Sequence, residues 1–275
     1  MPIRLVACDL DGTLLNSEHQ ISEAVHRAVR RAIGEGLRVV PASGRNRRSM
    51  QVIMARLQLN EPYIALGGGY AADPRAPQPI GHWPLSAGET EQIAAVARAH
   101  GVTILHEEPD LMLIEGQDWA VELLRGMSGV PVERVDDVLQ AAVNPPTKVV
   151  LIGEDGHLGR VADQLARLDR PLEIAQSRTN LLDITPHGVN KGAALRHLAG
   201  HLGVPLHEVA ALGDGFNDLS MFEVAGVSIA VANAVPELRQ RADRVAPSND
   251  EDGAAWALSA LLAWGSSTDR LQRAG

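Results

Sequence analysis

Cysteine, aromatic residues and long hydrophobic runs are all scarce in this 275-residue sequence. Its single cysteine, Cys8, has no partner for a disulfide within the chain. Aromatic residues make up 3% of the chain although 45% of its residues are hydrophobic, so the core has to be mainly aliphatic. No apolar run approaches the ~18 residues that cross a membrane, and the N-terminus lacks the pattern of a cleaved signal peptide. The sequence therefore predicts a soluble, cytoplasmic protein.

Positive charge is also in short supply. The chain has 25 Lys and Arg against 34 Asp and Glu, which gives a net charge of −9 with His neutral. This balance argues against a general surface for nucleic acid or for an anionic membrane. An anionic substrate would instead need a local positive site, and we expect a small molecule as the partner. The composition gives no prediction of oligomeric state.

Strands that alternate with helices occupy both ends of the chain. The apolar run "IRLVACDL" ends at an Asp-Gly turn signal and predicts a buried strand, and apolar residues at helical spacing follow over 22–35. A second strand, "LRVVPAS", and a shorter one, "YIAL", come next, and the alternation resumes after residue 190. Such alternation predicts parallel pairing. We therefore expect an α/β fold with a doubly wound, Rossmann-like parallel sheet.

The alternation is interrupted by the segment "DPRAPQP", which has three prolines in seven residues and cannot form a central strand or a helix. From Trp83 onward the sequence predicts a separate set of helices and strands. We expect two domains. They are a discontinuous catalytic core, 1–82 and 187–275, and a smaller α/β cap domain, 83–186, that is inserted into it.

Two pairs of acidic residues follow predicted strands. Asp9 and Asp11 lie two positions apart at the end of the first strand, and Asp214 and Asp218 lie in the loop "GDGFND" after a strand of the second half. Ligands of open α/β sheets bind at the carboxyl ends of strands. Close carboxylates repel one another unless a proton or a metal ion intervenes. The acids therefore predict either general acid/base chemistry or a site for a hard divalent cation.

Four motifs occur in order along the chain: "DLDGTLLN", "PASGR", "GVNKG" and "GDGFND". Together they resemble the haloacid dehalogenase-like hydrolase superfamily, most of whose members are phosphatases with an aspartate nucleophile. The insertion between the second and third motifs, and the late "NA" and "DG" pairs at 233–234 and 252–253, are similar to its Cof-type phosphatase subfamily. The resemblance covers the whole predicted core.

This resemblance implies a mechanism. Asp9 would attack phosphorus and form an aspartyl-phosphate, while Asp11 would protonate the leaving oxygen and later activate water, with a pKa raised by its acidic neighbour. Mg²⁺ would be held by Asp9, by the backbone carbonyl of Asp11 and by Asp214, and Asp218 would hold a water on the ion. The distant acids would then share one cation.

The same resemblance implies which residues bind the phosphate: Leu10, Ser43, Gly44, Lys191 and Asn217. Lys191 would supply a positive charge. Ser43 and Gly44 would offer a hydroxyl and a backbone N–H close to a helix N-terminus.

Two sequence features fall outside this scheme. Gly68 stands where the subfamily usually has an Asn before a Gly, and this replacement removes a side chain near the substrate loop. The arginines of "GRNRRS" are expected to form a solvated helix face rather than a nucleic-acid site, because the protein is acidic overall.

The resemblance favours a phosphatase for a small phosphorylated metabolite, with a sugar phosphate ahead of flavin mononucleotide or pyridoxal phosphate. A phosphosugar mutase would use the same residues and return the phosphoryl group to the sugar. A phospho-aspartate signalling receiver also combines acids, Ser or Thr, and Lys, but the "DxDGT" spacing and the insertion argue against it. A dehalogenase is disfavoured because a halide leaving group needs no acid such as Asp11. The sequence does not predict which cap residues choose the substrate.

Overall fold

The structure is a computed structural model and describes residues 2–128, 131–154 and 156–272. Strands β1 to β14 follow in chain order as Leu5–Cys8, Arg38–Pro41, Tyr63–Ala65, Tyr70–Ala72, Gly81–His82, Thr103–Glu107, Met112–Glu115, Glu133–Arg134, Lys148–Ile152, Leu172–Arg178, Leu181–Pro186, Val209–Gly213, Val227–Val231 and Arg244–Ala246. Helices α1 to α10 follow as Glu23–Gly34, Arg47–Leu57, Ala87–Ala99, Asp118–Ser128, Val138–Ala141, Leu158–Leu165, Lys191–His201, Leu219–Val224, Pro236–Arg241 and Gly253–Gln272.

A parallel sheet forms the core, with strand order β14-β13-β12-β1-β2. Strand β1 lies near its middle, where Leu5 pairs with Val209 of β12 on one side and with Arg38 of β2 on the other. All four residues of β1 are buried, as expected for a strand covered on both faces. The predicted α/β fold with a parallel core sheet is therefore confirmed.

Local sequence signals explain the helices that surround this sheet. In α1, the side chain of Ser22 accepts a hydrogen bond from the backbone N–H of Val25 and caps the helix. Val25, Val29 and Ala32 lie at helical spacing and are buried. The helix over 22–35 that the spacing predicts is thus present to within one residue at each end.

A second, six-stranded sheet forms the cap, with order β10-β11-β9-β6-β7-β8. Its neighbouring strands are antiparallel except for β7 and β8. An apolar cluster lies on each face of this sheet. The exact domain limits at 82/83 and 186/187 stay a prediction. Within the described ranges, no helix has both the length and the apolar character that crossing a bilayer requires.

The strand "YIAL" is present as β3 but in a different sheet from the one we expected. Strands β3, β4 and β5 form a small antiparallel sheet. It joins the core next to β2 through a parallel bridge between Ala42 and Ile64 and a hydrogen bond from the Ser43 N–H to the Ile64 carbonyl oxygen, and its apolar side chains pack in the core cluster. The proline-rich segment 73–79 lies between β4 and β5 and contains neither strand nor helix.

Candidate active site

The carboxyl ends of β1 and β12 bring distant acids together. Asp9 directly follows β1 and Asp214 directly follows β12, and the two strands are neighbours in the sheet. Carboxylate oxygens of Asp9, Asp214 and Asp218 all lie within 4.8 Å of one another. Gly12 permits this approach, because a Cβ at its position would lie 2.4 Å from Asp214 Oδ2. Residues that are about two hundred positions apart in sequence thus share one cluster.

Lys191 lies beneath this cluster as the first residue of α7, and it is fully buried. Its Nζ lies 2.5 Å from Asp9 Oδ1 and 2.6 Å from Asp218 Oδ1. Burial lowers the pKa of Lys191, but the Asp218 and Asp9 carboxylates outweigh burial and hold that pKa above its usual value. The ammonium group is therefore charged and bridges two of the three acids.

The carboxylate of Asp218 organises the loop that follows β12. Its Oδ2 accepts hydrogen bonds of 3.0 Å from the backbone N–H groups of Asp214 and Gly215, while its Oδ1 accepts from Lys191. Asp218 is fully buried. Both of its oxygens thus hold protein groups in place, and it fixes the position of Asp214 and of Lys191 at the same time.

The negative charges of the Asp9 and Asp214 carboxylates are only partly balanced by neighbouring groups. Burial raises the pKa of Asp9 well above its usual range, although the Lys191 ammonium opposes this rise. Burial and then the charge of Asp218 raise the pKa of Asp214 to about 6. Thr13 Oγ1 donates a 2.8 Å hydrogen bond to Asp214 and lessens that rise. A divalent cation such as Mg²⁺ prefers hard oxygen ligands and would stabilise the ionised form of these clustered carboxylates.

Asp11 has a different environment from the one expected. Arg45 donates two hydrogen bonds to its carboxylate, from Nε at 2.7 Å and from Nη2 at 2.6 Å, and His19 Nδ1 lies 3.3 Å away. Burial raises the pKa of Asp11, but the Arg45 hydrogen bonds and charge outweigh burial and lower that pKa below its usual value. The prediction of a raised pKa for Asp11 is therefore wrong, because an arginine rather than an acid is its nearest partner.

The expectation of a solvated arginine face is also wrong for Arg45. Only 17% of its side chain is exposed, and Nη1 also donates to Ser49 Oγ at 3.0 Å. Arg45 follows Ser43 by two residues at the end of β2, which is where ligands of such sheets bind. That position is the signal that could have identified it.

A single cavity of about 540 Å³ joins most of the predicted residues. Its lining includes Asp9, Asp11, Ser43, Gly44, Asp214 and Asn217. Leu10 is buried between the two acids of the first motif, and Lys191 and Asp218 are buried below the cavity floor. The structure thus places all nine predicted residues at one location, while their individual roles stay predictions.

Ser43 and Gly68 occupy specific structural positions. Ser43 is buried and does not cap α2, whose N-cap is Asn46; its Oγ accepts a 3.2 Å hydrogen bond from the backbone N–H of Arg45. Gly68 has a φ of 107°, and a Cβ there would lie 2.2 Å from the carbonyl oxygen of Asn190. The glycine therefore allows close packing against the start of α7, which carries Lys191.

Comparisons with known proteins agree with this geometry. A family profile for haloacid dehalogenase-like hydrolases matches residues 6–258. A 5-amino-6-(5-phospho-D-ribitylamino)uracil phosphatase of Bacillus subtilis is 29% identical, over 94% of this chain and 98% of that protein. An HMP-PP phosphatase of Cronobacter sakazakii is 30% identical, over 86% of each. A haloacid dehalogenase-like hydrolase structure from Bacteroides thetaiotaomicron matches with a TM-score of 0.85 and 28% identity, over 94% of this chain and 99% of that one.

These matches span nearly the whole chain, and hydrolases of this family typically use a metal ion, in agreement with the acidic cluster. The relatives are named phosphatases that act on small phosphorylated molecules. With the parallel core, the capping sheet and the four motifs, they show that the chain belongs to the haloacid dehalogenase-like hydrolase family, in its Cof-type branch, and is a phosphatase.

Proposed function

We propose that the protein is a Mg²⁺-dependent, cytoplasmic phosphatase that hydrolyses a small phosphorylated metabolite through a phosphoryl group transferred to Asp9. One observation carries the proposal. The buried Lys191 ammonium bridges Asp9 and Asp218 beside Asp214, so a nucleophile, a fixed positive charge and a cation site meet at the floor of one cavity.

Two in-line displacements account for the arrangement. In the first, an oxygen of Asp9 bonds to phosphorus while the bond from phosphorus to the substrate oxygen breaks, and Asp11 gives its proton to that oxygen. In the second, water bonds to phosphorus, the bond to Asp9 breaks, and Asp11 takes a proton from the water. The protein therefore ends the cycle as it began.

Neighbouring residues hold these groups in position. Lys191 fixes one oxygen of Asp9 and leaves the other for attack. Arg45 orients Asp11 and keeps it ionised before substrate arrives. Asp11 therefore has to take up a proton from solvent as substrate binds and weakens this pair, and it then passes that proton to the leaving oxygen. Asp9, the backbone carbonyl of Asp11 and Asp214 would hold Mg²⁺, which supplies charge neutralisation at the phosphate when bound. Ser43, Gly44 and Asn217 line the space for the phosphate oxygens.

The substrate is proposed by class. Two relatives are named for small phosphorylated molecules, one of them a phosphorylated ribitylamino-uracil. A cavity of about 540 Å³ suits a molecule of that size. Hydrolysis is proposed ahead of mutase activity.

Stereochemistry at phosphorus tests the mechanism. Hydrolysis of a chiral thiophosphate ester in isotopically labelled water should proceed with net retention, because two inversions occur if Asp9 is phosphorylated. Asp9→Asn should lose turnover by at least ~1000-fold, since a neutral amide is a poor nucleophile. Asp169→Asn, an exposed acid on the cap, is the matched control and should leave turnover unchanged.

Removal of metal is a second test of the proposed function. Turnover should disappear after treatment with a chelator and return on addition of Mg²⁺. Inversion at phosphorus, or turnover that survives metal removal, would contradict the proposal.

A further inference from the structure

The cap sheet supplies the cavity wall that faces Asp9. Strands β6, β9 and β11 are neighbours in this sheet, and on each strand two residues at alternate positions line the cavity. These residues are Leu105 and Glu107 on β6, Lys148 and Val150 on β9, and Leu181 and Asp183 on β11. The wall is therefore part charged and part apolar.

Lys148 holds the charged part of this wall together. Glu107 and Lys148 are directly paired across β6 and β9, and Lys148 Nζ lies 2.7 Å from Glu107 Oε2 and 3.3 Å from Asp183 Oδ1. The same Nζ donates a 2.8 Å hydrogen bond to the carbonyl oxygen of Gly44 in the core. The ammonium charge thus lies against both carboxylates, while its hydrogen bond goes to the Gly44 carbonyl. Lys148 thus holds two carboxylates side by side at the cavity wall and ties them to the core.

The two carboxylates retain acceptor capacity toward the cavity. A carboxylate has about four lone-pair sites, and among the described residues the buried Glu107 Oε2 has no hydrogen-bond partner. Glu107 is 5% exposed, so its acceptors meet the cavity rather than bulk water. Buried polar groups are normally hydrogen-bonded, and hydroxyl groups of a ligand are suitable donors. A second phosphate would instead meet a group in which two carboxylates outnumber one ammonium, and it would be repelled.

The remaining wall is apolar. Leu105, Val150 and Leu181 continue the same three strands, and Met112 of β7 and Leu124 of α4 adjoin them. Such a surface favours contact with carbon atoms of a ligand rather than with charge. Arg178 lies at the exposed rim of the cavity and not among these buried groups.

We propose that Glu107 and Asp183, positioned by Lys148, bind hydroxyl groups of the leaving-group part of the substrate. The substrate is then a polyol with one phosphate and no other charged group. The inference rests on the proposed phosphatase function, because the phosphate is assigned to the opposite side of the cavity. It identifies the cap residues that choose the substrate and the chemical class that they choose.

The test compares two phosphate esters. Sorbitol 6-phosphate offers hydroxyl groups to the wall, whereas p-nitrophenyl phosphate offers none. We expect Glu107→Gln and Asp183→Asn each to lower the ratio of kcat/KM for sorbitol 6-phosphate over p-nitrophenyl phosphate by about 10- to 100-fold, since hydrogen bonds to charged groups are lost. Glu108→Gln is the matched control: Glu108 follows Glu107 but bonds to Asn144, outside the cavity lining, and the ratio should not change.

Turnover of p-nitrophenyl phosphate shows that each variant is folded. If Glu107→Gln loses activity toward both esters, the Asp183→Asn variant decides the outcome, because Asp183 is more exposed than Glu107. If both esters are hydrolysed and the ratio does not change in the variants, the hydroxyl site is wrong and the phosphatase function stands. If the wild-type protein hydrolyses neither ester, the proposed function fails and the inference fails with it. A preference for fructose 1,6-bisphosphate over fructose 6-phosphate would place a second phosphate at the wall and overturn the inference.

Discussion

The ionised form of Asp214 is destabilised because three carboxylates lie close together. Burial and then Asp218 raise its pKa to about 6, against 3.8 as the ordinary value. Because the folded-state pKa lies above the unfolded-state pKa, the protonated form stabilises the metal-free fold at low pH. That contribution is lost as pH rises from about 4 through about 6. Two pK units correspond to roughly 3 kcal/mol.

We therefore expect Asp214→Asn to increase the free energy of unfolding of the metal-free protein by about 2 to 3 kcal/mol at pH 7.5, and by less than ~1 kcal/mol at pH 4. The amide keeps an oxygen that can accept the Thr13 hydrogen bond. Denaturant unfolding with a chelator present measures both values, with the exposed Asp169→Asn as control. A variant that is less stable than the wild type at pH 7.5 would refute this electrostatic explanation.

The motif residues could be predicted from the sequence because each lies at a local signal, a strand end or a helix start. The position of Arg45 after β2 could have assigned it to the site, but its pairing with Asp11 could not be predicted, since the two residues lie 34 positions apart. Glu107 and Lys148 were missed for a related reason. Each lies at the end of an apolar strand, and only the register between β6 and β9 makes them partners.

At the scale of secondary-structure elements, the start of α7 depends on the loop at Gly68. A Cβ at Gly68 would lie 2.2 Å from the Asn190 carbonyl oxygen and 2.8 Å from the Lys191 backbone nitrogen. We expect Gly68→Ala to displace this helix start, and Lys191 with it, and to lower kcat by at least ~10-fold. Steady-state kinetics with p-nitrophenyl phosphate measures the effect.

Gly67→Ala is the matched control for this experiment. Gly67 also has a positive φ, of 66°, but no atom lies within 4 Å of a Cβ at its position. The control should lose about 1 kcal/mol of stability from backbone strain alone while kcat is retained. Equal losses of kcat in the two variants would show that backbone strain, and not the contact with α7, is responsible.

Elements with strong local signals were predicted, and short or edge elements were not. The capped helix α1 and the buried strand β1 have clear periodic patterns. The strands β4, β5 and β14 have only two or three residues each, which is too few for a period to be recognised. For "YIAL", the local pattern gives a strand correctly but contains no information about its partner strand, so its sheet was wrong.

At the scale of the whole molecule, the cap and the core meet at contacts close to the cavity. Arg47 at the start of α2 binds Asp110 through two hydrogen bonds, and the Arg47 backbone N–H donates to the Pro109 carbonyl oxygen at 3.0 Å. The two side chains are 37% and 39% exposed, so the ion pair contributes about 0 to 1 kcal/mol. It favours contact between cap and core without making that contact permanent.

Arg47→Met should therefore raise KM by about 2- to 5-fold and leave kcat equal or slightly higher, because a weaker cap contact releases product more readily. Arg48→Met, an exposed neighbour, is the control and should change neither value. A double-mutant cycle with Asp110→Asn isolates the pair, with an expected coupling of up to ~1 kcal/mol in kcat/KM. Additive effects of the two substitutions would exclude a role for this contact.

The position of β1 between β2 and β12 also affects how the protein is made. A ribosome releases Asp9 first, but β12, which completes the surroundings of β1, begins at Val209 after the whole inserted segment has emerged. At about 5 to 20 residues per second, the first strand waits for this neighbour for roughly 10 to 40 seconds. Asp9 and Lys191 thus meet only late in synthesis. A chain whose translation stops before β12 carries the first motif intact but lacks the cluster that Asp9 forms with Asp214 and Asp218.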